Sequence, residues 1–265
     1  TINEDQNGRP FEVFCTLGKA GGAAMADAEA VPLLAAMTPE NSDIRIIDEE
    51  VERLPRLGKP DLVGITALIS NVRRAYQIAD TFRARGIPVV FGGPQASINA
   101  EETLAHADSV VIGEAENVWH TLLSDFERGS LKERYKSGRV NTFESSPVPR
   151  WDLVKTDKYM SFPVQVSRGC PYNCTFCAST RFWPNIRYFS PEYMMEEIRH
   201  LRDTYGVRYI TFHDDLFIAN TKRLEGFHEL VLREGLPQER AHDIGAGALP
   251  GRQLDRHSAQ GFFRG

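Results

Sequence analysis

The chain has 265 residues and a formal charge of −5, from 31 Lys and Arg against 36 Asp and Glu, with 42% hydrophobic residues. That composition suits one large or two modest globular domains. It excludes a disordered chain, a collagen and a strongly basic nucleic-acid binder, so nucleic acid is not an expected partner. No apolar run approaches the roughly 20 residues that span a bilayer, and the opening TINEDQNGRP has no signal-peptide core, so a cytoplasmic protein without a transmembrane segment is expected.

Through residue 128 one theme repeats: a short β-branched run, a turn, then an amphipathic stretch. FEVFCTL (11–17), IRIID (44–48), DLVGIT (61–66), PVVFGG (88–93) and SVVIG (109–113) are the expected strands. They are nearly all apolar, as strands buried on both faces of a parallel sheet must be. Cys15 falls inside the first and reads as a core residue. The clearest helix follows the third strand. Asn71 can cap it, Ala75, Ile78, Ala79 and Phe82 form its apolar stripe, and Gly86 ends it. Five such units predict a doubly wound, flavodoxin-like α/β sheet over 1–128, with ligands at the carboxyl ends of its strands. The strand-end loops are small and glycine-rich: Thr66-Ala67, Gly92-Gly93-Pro94 and Gly113-Glu114-Ala115-Glu116. Small residues let a large cofactor approach the backbone. None of these loops makes a G-x-G-x-x-G or G-x₄-G-K-[ST] phosphate cradle, so NAD and ATP lose their usual warrant.

Residues 129–160 hold Gly129, Gly138, Pro147, Pro149 and many charges without periodicity, and read as a linker. PVQVS (163–167) is then a strand. Ser190-Pro191 opens a helix whose stripe is Met194, Ile198, Leu201 and Tyr205, and Gly206 stops it. VRYITF (207–212) is a second strand ending in His213-Asp214-Asp215, and a helix over 221–234 follows. Two further β-α units therefore occupy 161–238. The remaining stretch, 239–265, holds five glycines and four arginines, with no strand-like run or helical stripe, and is an atypical tail.

Between the strand at 163–167 and the helix at 191 lies Cys170-Pro-Tyr-Asn-Cys174-Thr-Phe-Cys177. Three thiolates at such spacing bind soft metal ions or iron–sulfur clusters. With no fourth cysteine nearby, a four-iron cluster held here keeps one iron open to a substrate or cofactor. The alternative is a structural zinc with His200 or His213 as the fourth ligand, although structural zinc usually uses two separated pairs.

C-x₃-C-x₂-C after the first strand of a β/α domain, preceded by Ser167-Arg168-Gly169 and carrying Phe176 before the last cysteine, resembles the radical S-adenosylmethionine (SAM) superfamily. The resemblance implies that Cys170, Cys174 and Cys177 hold a [4Fe–4S] cluster and that SAM chelates the open iron. One electron from the cluster then cleaves SAM to a radical that abstracts a substrate hydrogen, chemistry that the cofactors carry and the protein orients. Phe176 becomes a neighbour of the adenine, though it reads equally as a core aromatic. Asp214 and Asp215, with His213, stand where family residues reach the SAM amino group, and they read equally as a helix-capping or solvated pair. The family barrel is (β/α)₆, and 161–238 holds its first units.

Upstream, PDLVGITAL (60–68), residues 71–97 and ADSVVIGEAENVW (107–119) resemble the cobalamin-binding domain that precedes this barrel in a large subfamily. The two resemblances together cover about residues 11–235. They imply that Thr66, Ser70, Gly92, Gly93, Gln95, Ser97, Gly113 and Glu114 line the corrin, while each singly also reads as a turn residue. Gln95 stands where the subfamily often has histidine. The first histidine of the chain is His106, so the loop after the first strand supplies no cobalt ligand. The implied function is a cobalamin-dependent radical SAM enzyme, with methyl transfer to an unactivated carbon as the favoured reaction. Its expected partners are a small-molecule or lipid-like substrate and an electron donor such as flavodoxin or ferredoxin. The competing reading is a non-catalytic corrin-binding module with an inactive cluster domain.

Overall fold

The computed structural model describes residues 12–17, 29–54, 58–143, 145–159, 161–183 and 185–235, with backbone alone for 12–17 and Arg181. The first part runs β1 (Glu12–Leu17), α1 (Ala30–Ala36), β2 (Asp43–Asp48), β3 (Leu62–Thr66), α2 (Val72–Arg83) and β4 (Val89–Gly92). It continues with α3 (Gly93–Ile98), α4 (Ala100–Leu104), β5 (Ser109–Ile112), α5 (Trp119–Glu127) and β6 (Arg134–Lys136). The strands form one parallel sheet in the order β2-β1-β3-β4-β5-β6. The first five follow the flavodoxin-like order, as the five β-α periods require.

Alternation along β3, β4 and β5 builds two apolar faces. Val63 and Ile65 of β3, with Phe91 of β4 and Val110 of β5, pack on the α2 stripe of Ala75, Ile78, Ala79 and Phe82. Leu62, Val90 and Val111 point the other way, onto Trp119, Leu122 and Leu123 of α5. Each such fully buried large side chain contributes about 1.5–3 kcal/mol. The Trp119 indole also donates to Thr38 Oγ1 at 2.9 Å, which fastens α5 to the end of α1. Asn71 takes the N-cap position of α2, but no cap hydrogen bond from its side chain forms.

β6 falls inside the span read from sequence as a linker. It extends the sheet by pairing Val110 with Arg134 and Ile112 with Lys136. Of its three residues only Tyr135 is buried, and its hydroxyl donates to Asp125 Oδ2 at 2.9 Å. The rest of the span is also docked. Short 3₁₀ turns at Trp151–Leu153 and Thr156–Lys158 follow, and Leu153 and Val154 pack on Val31, Ala35 and Ile46. The Arg150 amide donates to Pro32 O at 3.0 Å, and the Tyr159 hydroxyl donates to Asp48.

The second part holds β7 (Phe162–Gln165), β8 (Ser167–Arg168), α6 (Ser179–Phe182), β9 (Arg187–Tyr188), α7 (Pro191–Tyr205), β10 (Ile210–His213) and α8 (Thr221–Arg233). β7 and β10 pair in parallel, Phe162 opposite Ile210, while β8 and β9 make a short antiparallel ribbon. Ser190 caps α7 by accepting from the Tyr193 amide at 3.1 Å, Pro191 opens its first turn, and Gly206 ends it. Met194, Ile198 and Leu201 are buried, with Phe162, Val164, Phe189 and Phe227, around Trp151. β10 starts three residues later than the apolar run suggests, and Tyr209 is 62% exposed. The expectations for 239–265 and for the Cys15 side chain lie outside the described residues. Among the described residues no helix is long and apolar enough to cross a membrane.

Candidate cofactor-binding site

The carboxyl ends of β3, β4 and β5 open into one cavity, where doubly wound sheets bind ligands. Five of the eight residues expected to face a corrin line it: Thr66, Gly92, Gly93, Gly113 and Glu114. Gly93 has a left-handed backbone (φ 82°), and a Cβ there would lie 2.4 Å from Thr66 Oγ1. Gly92 is extended, and nothing lies within 4 Å of where its side chain would start. The first glycine therefore lets the chain turn, and the second leaves the cavity wide.

The other three lie off the cavity. Gln95 is buried, with its Nε2 donating to the Tyr76 hydroxyl at 3.0 Å. Ser97 Oγ donates to Gly93 O at 3.0 Å and accepts from the Gly113 amide at 2.9 Å, so it staples two strand-end loops together. Ser70 is exposed in the turn before α2.

The opposite wall comes from the second part of the chain: Gln165, Arg168, Phe182 and Trp183. These residues bracket the cysteine loop. Glu29, just before α1, also lines the cavity. Burial pushes its carboxyl up to about 8, against the opposing pull of Arg168 and of the Gln165 backbone. Burial likewise raises Glu197 of α7 well above the usual carboxylate range, and the neighbouring Glu29 adds to the rise. Sequence reasoning gave none of these residues a place in the site, Arg168 entering only as a flank of the cysteine motif, since an isolated glutamate or arginine looks like solvated surface.

A buried ion-pair network joins the two walls. Arg187 Nη1 donates to Glu114 Oε2 at 2.8 Å, and Nη2 donates to the other oxygen. Arg168 Nη1 donates to Glu116, while its Nε donates to Gln165 Oε1 at 2.8 Å. The two guanidinium groups lie 4.9 and 5.4 Å from the centre of the Phe143 ring, which itself stacks on Phe189. Glu114, expected to face a ligand, thus also carries an ion pair across the seam.

The cysteine loop follows Gly169. Cys170 and Cys177 are half-buried, Cys174 is exposed, and none of the three is in a disulfide. Among the described residues, no three His, Cys, Asp or Glu side chains converge as metal ligands. Phe176 is 92% exposed, so it is not the core aromatic that one reading expected. The two aspartates at the end of β10 reach either flank of the loop. Ser167 Oγ donates to Asp214 Oδ1 at 2.7 Å, and Ser179 Oγ donates to Asp215. Neither caps α8, because Asn220 does so by accepting from the Arg223 amide at 3.1 Å. Asp214 Oδ2 is buried without a partner, and burial raises this carboxyl. His200 lies within α7, its ring against that of Tyr205, about 14 Å along the helix axis from its start. Burial holds the His213 imidazole below its usual value.

Residues 17–123 match the B12 binding domain family, and residues 164–248 match the Radical SAM superfamily. Among curated relatives, a bacteriochlorophyllide d C-8(2)-methyltransferase of Chlorobaculum tepidum is 41% identical over 161 residues, covering 58% of this chain and 36% of the relative. An uncharacterized methyltransferase of Pyrococcus horikoshii is 32% identical over 237 residues, covering 77% of this chain and 52% of the relative. The chain thus spans about half, or less, of the length of these relatives. The fold is shared with the radical S-adenosylmethionine methyltransferase TsrM from Kitasatospora setae, solved with cobalamin and a [4Fe–4S] cluster bound. That likeness has a TM-score of 0.64 at 15% identity and covers 85% of this chain and 51% of TsrM. With its cavity at the strand ends, its C-x₃-C-x₂-C loop and both family matches in tandem, the chain belongs to the B12-binding radical SAM proteins.

Proposed function

We propose that this chain carries the cofactor-binding region of a cobalamin-dependent radical SAM methyltransferase, which places a methyl group on an unactivated carbon of a small-molecule or lipid-like substrate. The observation that carries this reading is the shared cavity. One wall is the glycine-rich strand ends of the first part, and the other brackets the cysteine loop, with Arg168 before it and Phe182 and Trp183 after it. Relatives named as methyltransferases favour methyl transfer over cyclisation, although two more distant relatives are cyclases.

The residues suit both groups by their chemistry. Three thiols free of disulfides on one loop match a cluster with one open iron. The side-chain-free wall at Gly92 suits a broad, flat ring, and no histidine is among the described residues that line the cavity. When bound, the two groups supply a methyl carrier and one-electron cleavage of SAM. Cys170, Cys174 and Cys177 would hold the cluster. Asp214, with its spare buried oxygen, and Asp215 would receive the SAM ammonium, and Phe176 would cover the adenine. Thr66, Gly92, Gly93, Gly113 and Glu114 would face the corrin, while Gln95 and Ser97 hold those loops in shape. In this division of labour residues 1–128 serve the corrin and 161–238 serve the cluster. An electron donor such as flavodoxin or ferredoxin would approach by the exposed Cys174 edge of the loop.

Anaerobic reconstitution with iron, sulfide and cobalamin tests the reading. The chain should take up about four irons, bind cobalamin and release 5′-deoxyadenosine from SAM under reduction. Stoichiometric zinc in place of iron would sink it. Bound cobalamin and an intact cluster without SAM cleavage would instead support a non-catalytic corrin module.

A further inference from the structure

We infer that the buried Glu114–Arg187 and Glu116–Arg168 pairs form a positioning latch that sets the distance between the corrin cavity and the cluster loop. The inference rests on the functional reading above and adds to it the residues that hold the two cofactor sites together. Gly113 belongs to the cavity wall, and Glu114 is its covalent neighbour. Glu114 grips Arg187 through two parallel hydrogen bonds, and two residues on, Glu116 grips Arg168. Arg168 is followed by Gly169 and then Cys170. A short path of hydrogen-bonded and covalently adjacent residues therefore runs from the wall of one cofactor site to the first ligand of the other.

Three observations favour positioning over simple adhesion. The paired side chains are nearly dry: Arg187, Glu114 and Arg168 are 6%, 7% and 8% exposed, and Glu116 is 15% exposed. Buried ion pairs gain little net stability over apolar packing, because desolvation offsets their attraction, whereas a two-point guanidinium–carboxylate fork fixes distance and angle. The Phe143 ring lies against both guanidinium groups, and Phe189 lies 5.9 Å from that of Arg168, which limits their sideways movement. Gly169 is crowded on the far side, where an added Cβ would meet the Trp183 and Asn185 carbonyl oxygens. Lysine would keep the charge but not the fork.

The test uses the full chain, reconstituted with cluster and cobalamin, and reads the power saturation of the cob(II)alamin EPR signal with the cluster reduced. Proximity to the paramagnetic cluster speeds relaxation of that signal, so it reports separation independently of turnover. Arg187→Gln should keep iron and cobalamin stoichiometry yet lose most of the relaxation enhancement, with Arg187→Lys keeping more of it than Arg187→Gln. Should Arg187→Gln fail to fold, Arg187→Lys gives the same readout as a partial loss. Unchanged relaxation in folded, fully loaded variants would overturn the latch alone. A wild-type chain that binds no cobalamin would overturn the functional reading and the latch with it.

Discussion

Replacing Gly169 with alanine probes the join between the ion-pair network and the cysteine loop. Its backbone is left-handed, at φ 88°, and an added Cβ would meet Asn185 O at 2.5 Å and Trp183 O at 2.6 Å. The backbone conformation alone costs a non-glycine residue about 1–2 kcal/mol. Both contacts are main-chain oxygens that cannot rotate away, and forcing them apart adds an overpacking cost of about 1–3 kcal/mol. The total is about 2–5 kcal/mol, a large share of a typical domain stability of about 5–15 kcal/mol. Gly206→Ala is the control. It shares the left-handed backbone, at φ 64°, but nothing lies within 4 Å of its added Cβ, so only the backbone cost of about 1–2 kcal/mol remains. Urea unfolding followed by circular dichroism gives both values, and iron uptake should fall in Gly169→Ala and hold in Gly206→Ala. Equal losses of stability in the two variants would refute the collision argument.

Other outcomes follow from the same geometry. Cys170→Ala, Cys174→Ala and Cys177→Ala should each lose most of the iron in a colorimetric assay, because no neighbouring thiol replaces the missing metal bond. Gly92→Val should weaken cobalamin binding in isothermal titration while barely moving the urea midpoint, since the new side chain enters open space. Equal affinity would mean that the corrin lies elsewhere. Stability should fall as pH rises from the ordinary glutamate value of 4.5 towards about 8, because the folded chain keeps the Glu29 proton after the unfolded chain has lost it. Glu197 acts in the same direction. Glu29→Gln should therefore flatten part of that limb in melts from about pH 5 to 9, and an unchanged slope would remove Glu29 as its source.

β3 to β5 were legible because burial on both faces leaves strands such as Leu62–Thr66 almost wholly apolar. β6 was not: an edge strand that buries only Tyr135 between Arg134 and Lys136 carries no apolar signal. The cysteines announced themselves by spacing, which does not depend on the fold. The ion pairs could not be read, since Arg187 and Glu114 stand 73 positions apart and Arg168 and Glu116 stand 52 apart. Gln95 marks the limit of motif position as a guide. It follows Gly-Gly-Pro as a cofactor residue would, yet α3 turns its side chain inward onto Tyr76.

The three tryptophans, Trp119, Trp151 and Trp183, have different surroundings. Trp119 lies under the first sheet and reaches the cavity, Trp151 sits in the second core and Trp183 stands in the opposite cavity wall. The protein is therefore its own optical reporter, with no need for a label. A corrin absorbs where indole emits, so a bound one should darken Trp119 and Trp183, which both line the cavity, more than Trp151. With Trp183 replaced by phenylalanine, the remaining emission follows the two cores. Removing Trp119 or Trp151 in turn then resolves whether they melt in one step or in two.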